Sequence, residues 1–525
     1  MAIDFSLNLV TSRDLLAPGK DFYETLEQAL QGGVTVVQIR EKTADTGEFL
    51  EIAEKSKSIC DRYNVPLLVN DRVDIALAIG ANGVHLGQTD MPIAVARRLL
   101  PPNAIVGASC NSVAEVRKAL TDGADYIGIG AIWATNTKIL NKPLVGVRNV
   151  GTMLEMLDGT SVQAVAIGGI KSKNLLRTLY GSVSRTRHAL DGVAVVSEIM
   201  ASGDPKEAAT RLREILQTFK SGSTIPLGFS SGKNVYTPDR VIEQVARLMK
   251  HMKEVNPLVH QITNNVVVAQ SANTTISVGA SPIMATTAQE MPDLARVCDS
   301  LLVNIGTLTQ DAFVGMLEAG SCMNANRKPI VFDPVGVGAT AYRKKAVNEL
   351  LNTWQTTVIK GNAGELAALG GSAEVESKGV DSVGAGFKDP VAFVRNLARR
   401  ERCIIALTGK TDYVSDGESV AILNNGHQYL SQITGSGCIT GSCIASYCAL
   451  TSRISKDERL EDTKLAGGDV FIATISGILV LNVAAEIAAT RGDVHGPGSF
   501  FPALLDELAH LTPETATERV NLQLV

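Results

Sequence analysis

One pattern constrains this chain more than any other: a short apolar run ending in charged or amide side chains, repeated at close intervals. Val34-Thr35-Val36-Val37 leads into Gln38-Ile39-Arg40-Glu41-Lys42, Pro66-Leu67-Leu68-Val69 into Asn70-Asp71, and Gly83-Val84 into His85-Leu86-Gly87-Gln88-Thr89-Asp90. Strands are expected near residues 7–11, 34–40, 66–71, 83–87, 104–109, 126–132, 163–168 and 192–197. Amphipathic stretches such as Val113-Ala114-Glu115-Val116-Arg117-Lys118-Ala119-Leu120 fill the gaps. So many β–α units in a little over 200 residues suit a closed (β/α)8 TIM barrel better than an open sheet. In such a barrel the C-terminal strand ends converge on one mouth, so polar groups far apart in sequence share a site. Asp71 and Asp90 beside Arg40 and Lys42 suit a divalent metal holding a diphosphate, with the cations on the remaining oxygens. Taken singly, each of these residues fits a satisfied loop equally well; the ordered set reads as a site.

At 525 residues the chain is too long for one core. Residues 1–220 are expected to form the barrel and residues 221–238, rich in Ser, Gly and Pro, the linker. Residues 239–525 then form a second α/β domain, with strands near 301–305, 329–332, 357–359 and 404–407 and an apolar, helical C-terminal third. A net charge of −5 excludes a general attraction to nucleic acid or anionic membrane, so any phosphate site is local. The 8 cysteines include no CxxC pair, which points to free thiols in a reducing, cytoplasmic setting. Met-Ala-Ile-Asp-Phe-Ser has an early acid and no basic n-region, so a secretory signal is not expected. The most membrane-like stretch, 470–489, contains Ser476, Asn482 and Glu486 and reads as a buried helix.

Later strand ends extend the first constellation. Ser109 closes Gly107-Ala108-Ser109, Thr135-Asn136-Thr137-Lys138 follows the sixth strand, and the last two strands end in Gly168-Gly169-Ile170 and Val195-Val196-Ser197. Glycine turns and backbone N–H groups after strands seven and eight form a phosphate cradle in such barrels, although Gly-Gly-Ile alone fits a tight turn as well. Beside the metal-and-cation cluster it suggests two phosphorylated substrates in one mouth. QIREK, ND, HLGQTD, GAS, the TNTK turn, IGGI and DGVAVVSEI, in that order, resemble thiamine-phosphate synthase across the whole first domain. That family joins hydroxymethylpyrimidine diphosphate to a thiazole ethyl phosphate and releases pyrophosphate. The resemblance implies that Gln38, Arg40, Lys42, Asn70, Ser109 and Lys138 hold the pyrimidine diphosphate and that Asp71 and Asp90 bind Mg2+. It implies also that Thr135, Asn136, Thr137, Gly169, Val195 and Val196 hold the thiazole phosphate. One departure from the compact pattern is the stretch 183–190, with Arg185, Arg187 and His188; it fits either a surface loop or an extra phosphate contact.

In the second domain, Thr434-Gly435-Ser436-Gly437-Cys438-Ile439-Thr440-Gly441 precedes an apolar helical run. A glycine-rich turn into a helix exposes N–H groups where a phosphoryl group gathers negative charge, and it would lower the pKa of Cys438. The same residues also fit a small-residue turn with an inert Cys438. Two further motifs favour a site: Asp333-Pro334-Val335-Gly336-Val337-Gly338-Ala339 and Lys360-Gly361-Asn362-Ala363-Gly364-Glu365. Asp333 and Glu365 would position Mg2+ directly or through water, and Lys360 would meet nucleotide phosphate. With His260-Gln261-Ile262-Thr263-Asn264-Asn265 and Gly279-Ala280-Ser281-Pro282-Ile283-Met284, these motifs resemble hydroxyethylthiazole kinase, a ribokinase-like α/β/α layered fold, over residues 256–507. By that resemblance Met284 and Gly435 contact the thiazole alcohol, Lys360 and Thr408 the ATP, and Cys438 stands where ribokinase relatives keep an aspartate base. Base and positional helper both remain open for it. No GxxxxGK[ST] run is present, and 373–389 reads as a longer surface loop.

Kinases of this type resemble trimers with thiazole pockets between subunits, so a homo-oligomer built on the kinase half is expected, and a hexamer if the barrels also pair. The two halves together resemble bifunctional thiamine-biosynthesis enzymes of the fungal type, in which the kinase product feeds the synthase. Small-molecule substrates, ATP and Mg2+ are implied, with no nucleic-acid or membrane partner. Rival readings are a chain with one live site and a ligand sensor without turnover; intact motifs in both halves weigh against each.

Overall fold

The computed structural model describes residues 3–135, 137, 142–221, 236–378, 381–383, 386–455 and 465–525, with backbone alone at 376–378 and 381–383. The chain divides into two compact units, Met1–Ile225 and Pro226–Val525.

In the first unit, β1 (Leu7–Val10), β2 (Val36–Ile39), β3 (Leu67–Asn70), β4 (Gly83–Leu86), β5 (Ile105–Cys110), β6 (Tyr126–Ile129), β7 (Gln163–Ile167) and β8 (Gly192–Val195) form a closed parallel barrel. Asn8 pairs with Val36 on one side while Leu7 pairs with Val193 on the other, which seals the ring. The helices begin where the sequence supplies caps: the Asp45 carboxylate accepts from the N–H of Glu48 at 2.9 Å at the head of Thr46–Arg62. Ser112 caps Val113–Thr121, whose Val116 and Ala119 are buried. Phe5, Val10, Val36, Leu68, Ile105, Tyr126, Val165 and Ala194 pack together as one buried cluster, the filled interior of a small barrel. The stretch 183–190 precedes β8 and so lies at the N-terminal strand ends, away from the mouth. There Arg185 makes a two-pronged ion pair with Glu155 at 2.8 and 2.9 Å, and His188 Nδ1 meets Asp158 at 2.9 Å. The surface-loop alternative is the one the structure takes.

The second unit is built on a nine-stranded mixed sheet. Its strands are β9 (Leu258–Ile262), β10 (Ser281–Ile283), β11 (Ser300–Asn304), β12 (Ile330–Asp333), β13 (Val358–Gly361), β16 (Ile404–Leu407), β17 (Asp412–Ser415), β18 (Val420–Leu423) and β19 (Leu522–Leu524). Their order is β10-β9-β11-β12-β13-β16-β17-β18-β19, parallel through β16 and antiparallel beyond it. The period-two alternation of strands places helices on both faces. On one face Ser442, in the helix Ser436–Ile454, donates to Gln261 at 2.9 Å, and Ser300 donates to the Ala445 carbonyl at 2.8 Å. On the other, Phe332 meets the edge of Trp354, whose indole N–H reaches Met316 O at 3.1 Å in the helix Gln310–Ala325. The apolar helix Val470–Ala489 is long enough to cross a membrane by composition, but it is buried in this unit and packs along Ser436–Ile454.

Of these strands, β11, β12, β13 and β16 are the ones expected from the sequence; β9, β10, β17, β18 and β19 are additional, and the two at the ends of the sheet, β10 and β19, are only three residues long. The stretch 373–389, expected as a loop, instead carries a small antiparallel ribbon, β14 (Glu376–Lys378) against β15 (Asp381–Val383). Pairing there needs only backbone groups, which leave no apolar periodicity in the sequence.

Candidate active sites

At the barrel mouth, each side chain is placed by where its strand stops. Gln38 lies near the end of β2 and Asn70 at the end of β3, and the Gln38 amide donates to Asn70 Oδ1 at 2.7 Å. The Asn70 Nδ2 is buried without a hydrogen-bond partner among the described residues, a donor left for a ligand. One residue past β3, Asp71 takes the left-handed conformation (φ 65°), and its N–H donates to His85 O at 3.0 Å. That turn sets its carboxylate against the Lys42 ammonium, which forms an ion pair with it. Asp90 lies within hydrogen-bonding reach of Asp71, and its Oδ2 accepts from the Gly87 N–H at 2.7 Å. Burial and the neighbouring Asp71 carboxylate hold the Asp90 pKa above its ordinary value. Two carboxylates pressed together in this way favour a shared proton or a cation between them. Among the described residues no group of three or more His, Cys, Asp and Glu could hold a metal; a divalent ion on two carboxylates would take its other ligands from phosphate and water. Arg40, just beyond β2, makes no ion pair among the described residues.

Ser109 sits near the end of β5, with its hydroxyl 2.9 Å from His85 Nε2 and its carbonyl accepting from the Gln88 amide at 2.7 Å. A second cluster gathers the ends of β6, β7 and β8. Thr135 Oγ1 accepts from the Thr137 N–H at 3.2 Å; Asn136 and Lys138 lie outside the described residues. Gly169 has φ 64°, and a Cβ there would come within 2.5 Å of Ala134 O, so the turn after β7 is pressed against the loop after β6. Glu198 accepts from the Ser172 N–H at 2.8 Å and ties that turn to the one after β8, where Val195 and Val196 sit. No hydrogen bond joins the two clusters among the described residues.

The second unit places its polar residues beneath the start of the helix Ser436–Ile454. Gly435 is the N-cap with φ 81°, and a Cβ there would collide with Val267 Cγ1 at 2.2 Å; only glycine allows this left-handed close approach. Cys438 lies in the first helical turn. Two amides converge on its sulfur, Asn264 Nδ2 at 3.4 Å and Asn304 Nδ2 at 3.3 Å. Asn304 also donates to Asp333 Oδ2 at 2.8 Å, and Lys360 Nζ lies 3.2 Å from Asp333 Oδ1. Glu365 accepts from the Gly336 N–H at 3.0 Å and from the Asn362 N–H at 2.9 Å, so it holds the two glycine-bearing strand ends together. Thr408 donates through its backbone N–H to Gly361 O at 2.9 Å, next to Lys360. Met284 follows β10 and is half-buried, with no hydrogen bond to this group among the described residues.

One expectation changes here. The thiol of Cys438 is pushed up, not down: burial and the Asp333 carboxylate outweigh Lys360 and the two amides. Lys360 is buried against Asp333 directly under Gly437, whose added Cβ would lie 3.0 Å from Nζ. Burial opposes its charge, but Asp333, Glu365 and Cys438 around it prevail and raise its pKa. Burial likewise pushes Asp333 up, and Glu365 up to about 7.

His85, Gln88, Asn264 and Asn304 are not marked by the sequence as individual groups. Asn304 carried the available signal, a polar residue ending an apolar strand, and His85 and Asn264 stood inside motifs already singled out. Arg343 was also missed; its guanidinium binds the carbonyls of Ile305, Gly306 and Val335 at 2.7 to 2.9 Å and clamps the ends of β11 and β12. No local pattern marks it.

Residues 7–199 match the thiamine monophosphate synthase family, and residues 249–514 match the hydroxyethylthiazole kinase family. The probable thiamine biosynthetic bifunctional enzyme of Schizosaccharomyces pombe is 38% identical over 99% of this chain and 97% of its own length. The thiamine biosynthetic bifunctional enzyme of Saccharomyces cerevisiae is 35% identical, with 99% and 98% covered. The hydroxyethylthiazole kinase of Roseiflexus sp. is 38% identical over 53% of this chain and 95% of its own. Both units, in this order and at full length, place the chain in the family of thiamine biosynthetic bifunctional enzymes, a thiamine-phosphate synthase joined to a hydroxyethylthiazole kinase.

Proposed function

We propose that the second unit phosphorylates 4-methyl-5-(2-hydroxyethyl)thiazole with ATP and that the barrel joins the resulting phosphate to hydroxymethylpyrimidine diphosphate, giving thiamine phosphate and pyrophosphate. The observation that carries this reading is the Asp71–Asp90–Lys42 cluster at the strand ends, beside the orphaned Asn70 amide. Arg40, Lys42 and Lys138 gather the charge of the diphosphate as the methylene C–O bond breaks, and Gln38, Asn70 and Ser109 orient the pyrimidine. Thr135, Asn136, Thr137 and the backbone at Gly169, Val195 and Val196 hold the thiazole phosphate so that its ring nitrogen forms the new C–N bond. Stabilising charge at the leaving group is the term that fixed donors supply best. The carboxylates of Asp71 and Asp90 fit Mg2+, which when bound supplies positive charge to the departing diphosphate.

In the kinase, Met284 and Gly435 border the thiazole alcohol, and the first-turn N–H groups of Ser436–Ile454 face the phosphoryl group. Cys438, as the thiolate, takes the hydroxyl proton as oxygen attacks the γ-phosphorus and ADP leaves. Asn264 and Asn304 favour that step by donating to the sulfur. Thr408 borders the ATP, and Lys360 acts from below as fixed positive charge. Asp333 and Glu365 fit a second Mg2+ through water, since each already accepts hydrogen bonds within the fold.

Purified protein given each substrate pair separately, with ADP and pyrophosphate release followed, tests both reactions; failure of either release removes the corresponding half. Residues 1–220 and 239–525 act as the synthase and kinase domains. The kinase unit self-associates: Val266, Val268 and Ile276 are exposed apolar residues beside the Gly435 turn and along one helix, suited to burial in a trimer whose pockets lie between subunits. The solution mass of each unit expressed alone checks this, and a hexamer requires the barrels to pair as well. All eight cysteines are free, in keeping with a cytoplasmic setting.

A further inference from the structure

We propose that Tyr126 and His85 are positioning residues that fix the Ser109 hydroxyl as a hydrogen-bond donor into the barrel mouth, so that the atom it takes from the pyrimidine substrate is an acceptor. This rests on the reading that Ser109 touches that substrate. Tyr126 opens β6 and is buried in the barrel interior, its ring 4.4 Å from that of Phe5. Its hydroxyl lies 2.8 Å from His85 Nδ1, and His85 Nε2 lies 2.9 Å from Ser109 Oγ. The fold makes room for this chain. A Cβ at Gly107 would stand 2.2 Å from the Tyr126 ring and 2.7 Å from His85 Nδ1, and one at Gly128 would stand 3.3 Å from His85 Cε1. A barrel interior that clears space for two linked polar rings is a built feature.

Counting donors settles the direction of the chain. Burial pushes the Tyr126 phenol strongly upward, so it keeps its proton. Its hydroxyl has no hydrogen-bond partner besides His85 among the described residues. If it accepted from Nδ1–H, its own O–H would be stranded in a dry interior, which proteins avoid. It therefore donates to Nδ1, and the neutral imidazole carries its proton on Nε2, aimed at Ser109 Oγ. The serine oxygen accepts, and its hydrogen turns to the mouth. Ser109 shares the inward face of β5 with Gly107, one step nearer the mouth, and Gln88 pins its carbonyl at 2.7 Å. The substrate acceptor is either a pyrimidine ring nitrogen or a diphosphate oxygen.

The test is steady-state synthase kinetics of the full chain, with each substrate varied, for Ser109→Ala, Tyr126→Phe, His85→Gln, His85→Glu and the double variant Ser109→Ala/Tyr126→Phe. Glutamine reproduces the relay, its amide oxygen toward Tyr126 and its N–H toward Ser109, and is expected to stay within about threefold of the parent. Glutamate, of nearly the same shape, offers only acceptors; it is expected to lower kcat/KM for the pyrimidine diphosphate about tenfold, with KM for the thiazole phosphate unchanged. Tyr126→Phe should give a similar loss in the parent and none in the Ser109→Ala background. Inhibition by pyrophosphate separates the two acceptors: weakened inhibition in His85→Glu marks a diphosphate oxygen, and unchanged inhibition marks the ring. Equal activity of the Gln and Glu variants, or an undiminished effect of Tyr126→Phe without Ser109, overturns the relay. Unchanged kinetics for Ser109→Ala overturns instead the assignment of Ser109 to the substrate.

Discussion

The two sites handle charge in opposite ways. In the barrel, Lys42 and Asp71 meet at the mouth with side chains 48% and 20% exposed, so water screens the pair and the carboxylates stay open to an arriving cation. In the kinase unit, Lys360 and Asp333 are 4% and 0% exposed beneath a helix N-terminus, so the charge is already in place and already balanced before any nucleotide arrives. The barrel keeps its charged pair in water, whereas the kinase unit carries its own as part of its core. Substitutions in the first should cost activity alone, and substitutions in the second should cost activity and stability together.

The sharpest way to break this comparison is a reciprocal knock-out. Cys438→Ala removes the candidate base, and kinase turnover should fall about 10²–10⁴-fold with thiamine-phosphate formation intact. Cys438→Asp should retain turnover. Because the thiol is held above its ordinary pKa, the parent's turnover should climb as pH rises into the alkaline range, and the Asp variant should lose that climb. Asp90→Asn or Asp71→Asn should lower synthase turnover about 10²–10³-fold with the kinase untouched. Asparagine is chosen because Asp71 is left-handed, a conformation it tolerates. Coupled assays of ADP and pyrophosphate on each variant decide it, and a parallel fall in both activities would sink the separation of roles.

A smaller effect comes from the two lysines. Lys360→Met strands the buried Asp333 carboxylate and should destabilise the kinase unit by about 3–5 kcal/mol. Lys42→Met should cost its barrel less than about 1 kcal/mol while impairing synthesis. Denaturant melts of the separately expressed units measure the difference; equal losses would erase the contrast.

The smallest effect is a pH slope. Glu365 is raised by burial to about 7 from an ordinary 4.5, so the folded kinase unit binds a proton that the unfolded chain has released in that interval. Its stabilising contribution is whole below about 4.5 and is lost as pH rises through about 7. Glu365→Gln should flatten that part of the stability curve, which thermal melts between these limits would follow.

The sequence alone settled the barrel, because its first five strands end in polar groups within one or two residues of the apolar run and the last ones in glycine and small-residue turns. Strand periodicity and motif order are local properties, so β1 to β8 are legible along the chain as an ordered set. It settled as well the glycine turn before Ser436–Ile454, since only glycine takes the Gly435 conformation. What only the tertiary structure decided is how groups distant in sequence meet. The two amides from Asn264 and Asn304 reach one sulfur across 174 and 134 residues. The Arg343 clamp and the Tyr126–His85–Ser109 chain likewise have no local signature. The sign of the Cys438 shift belongs here too: the burial and the Asp333 carboxylate that push it up come from packing, which no local motif shows.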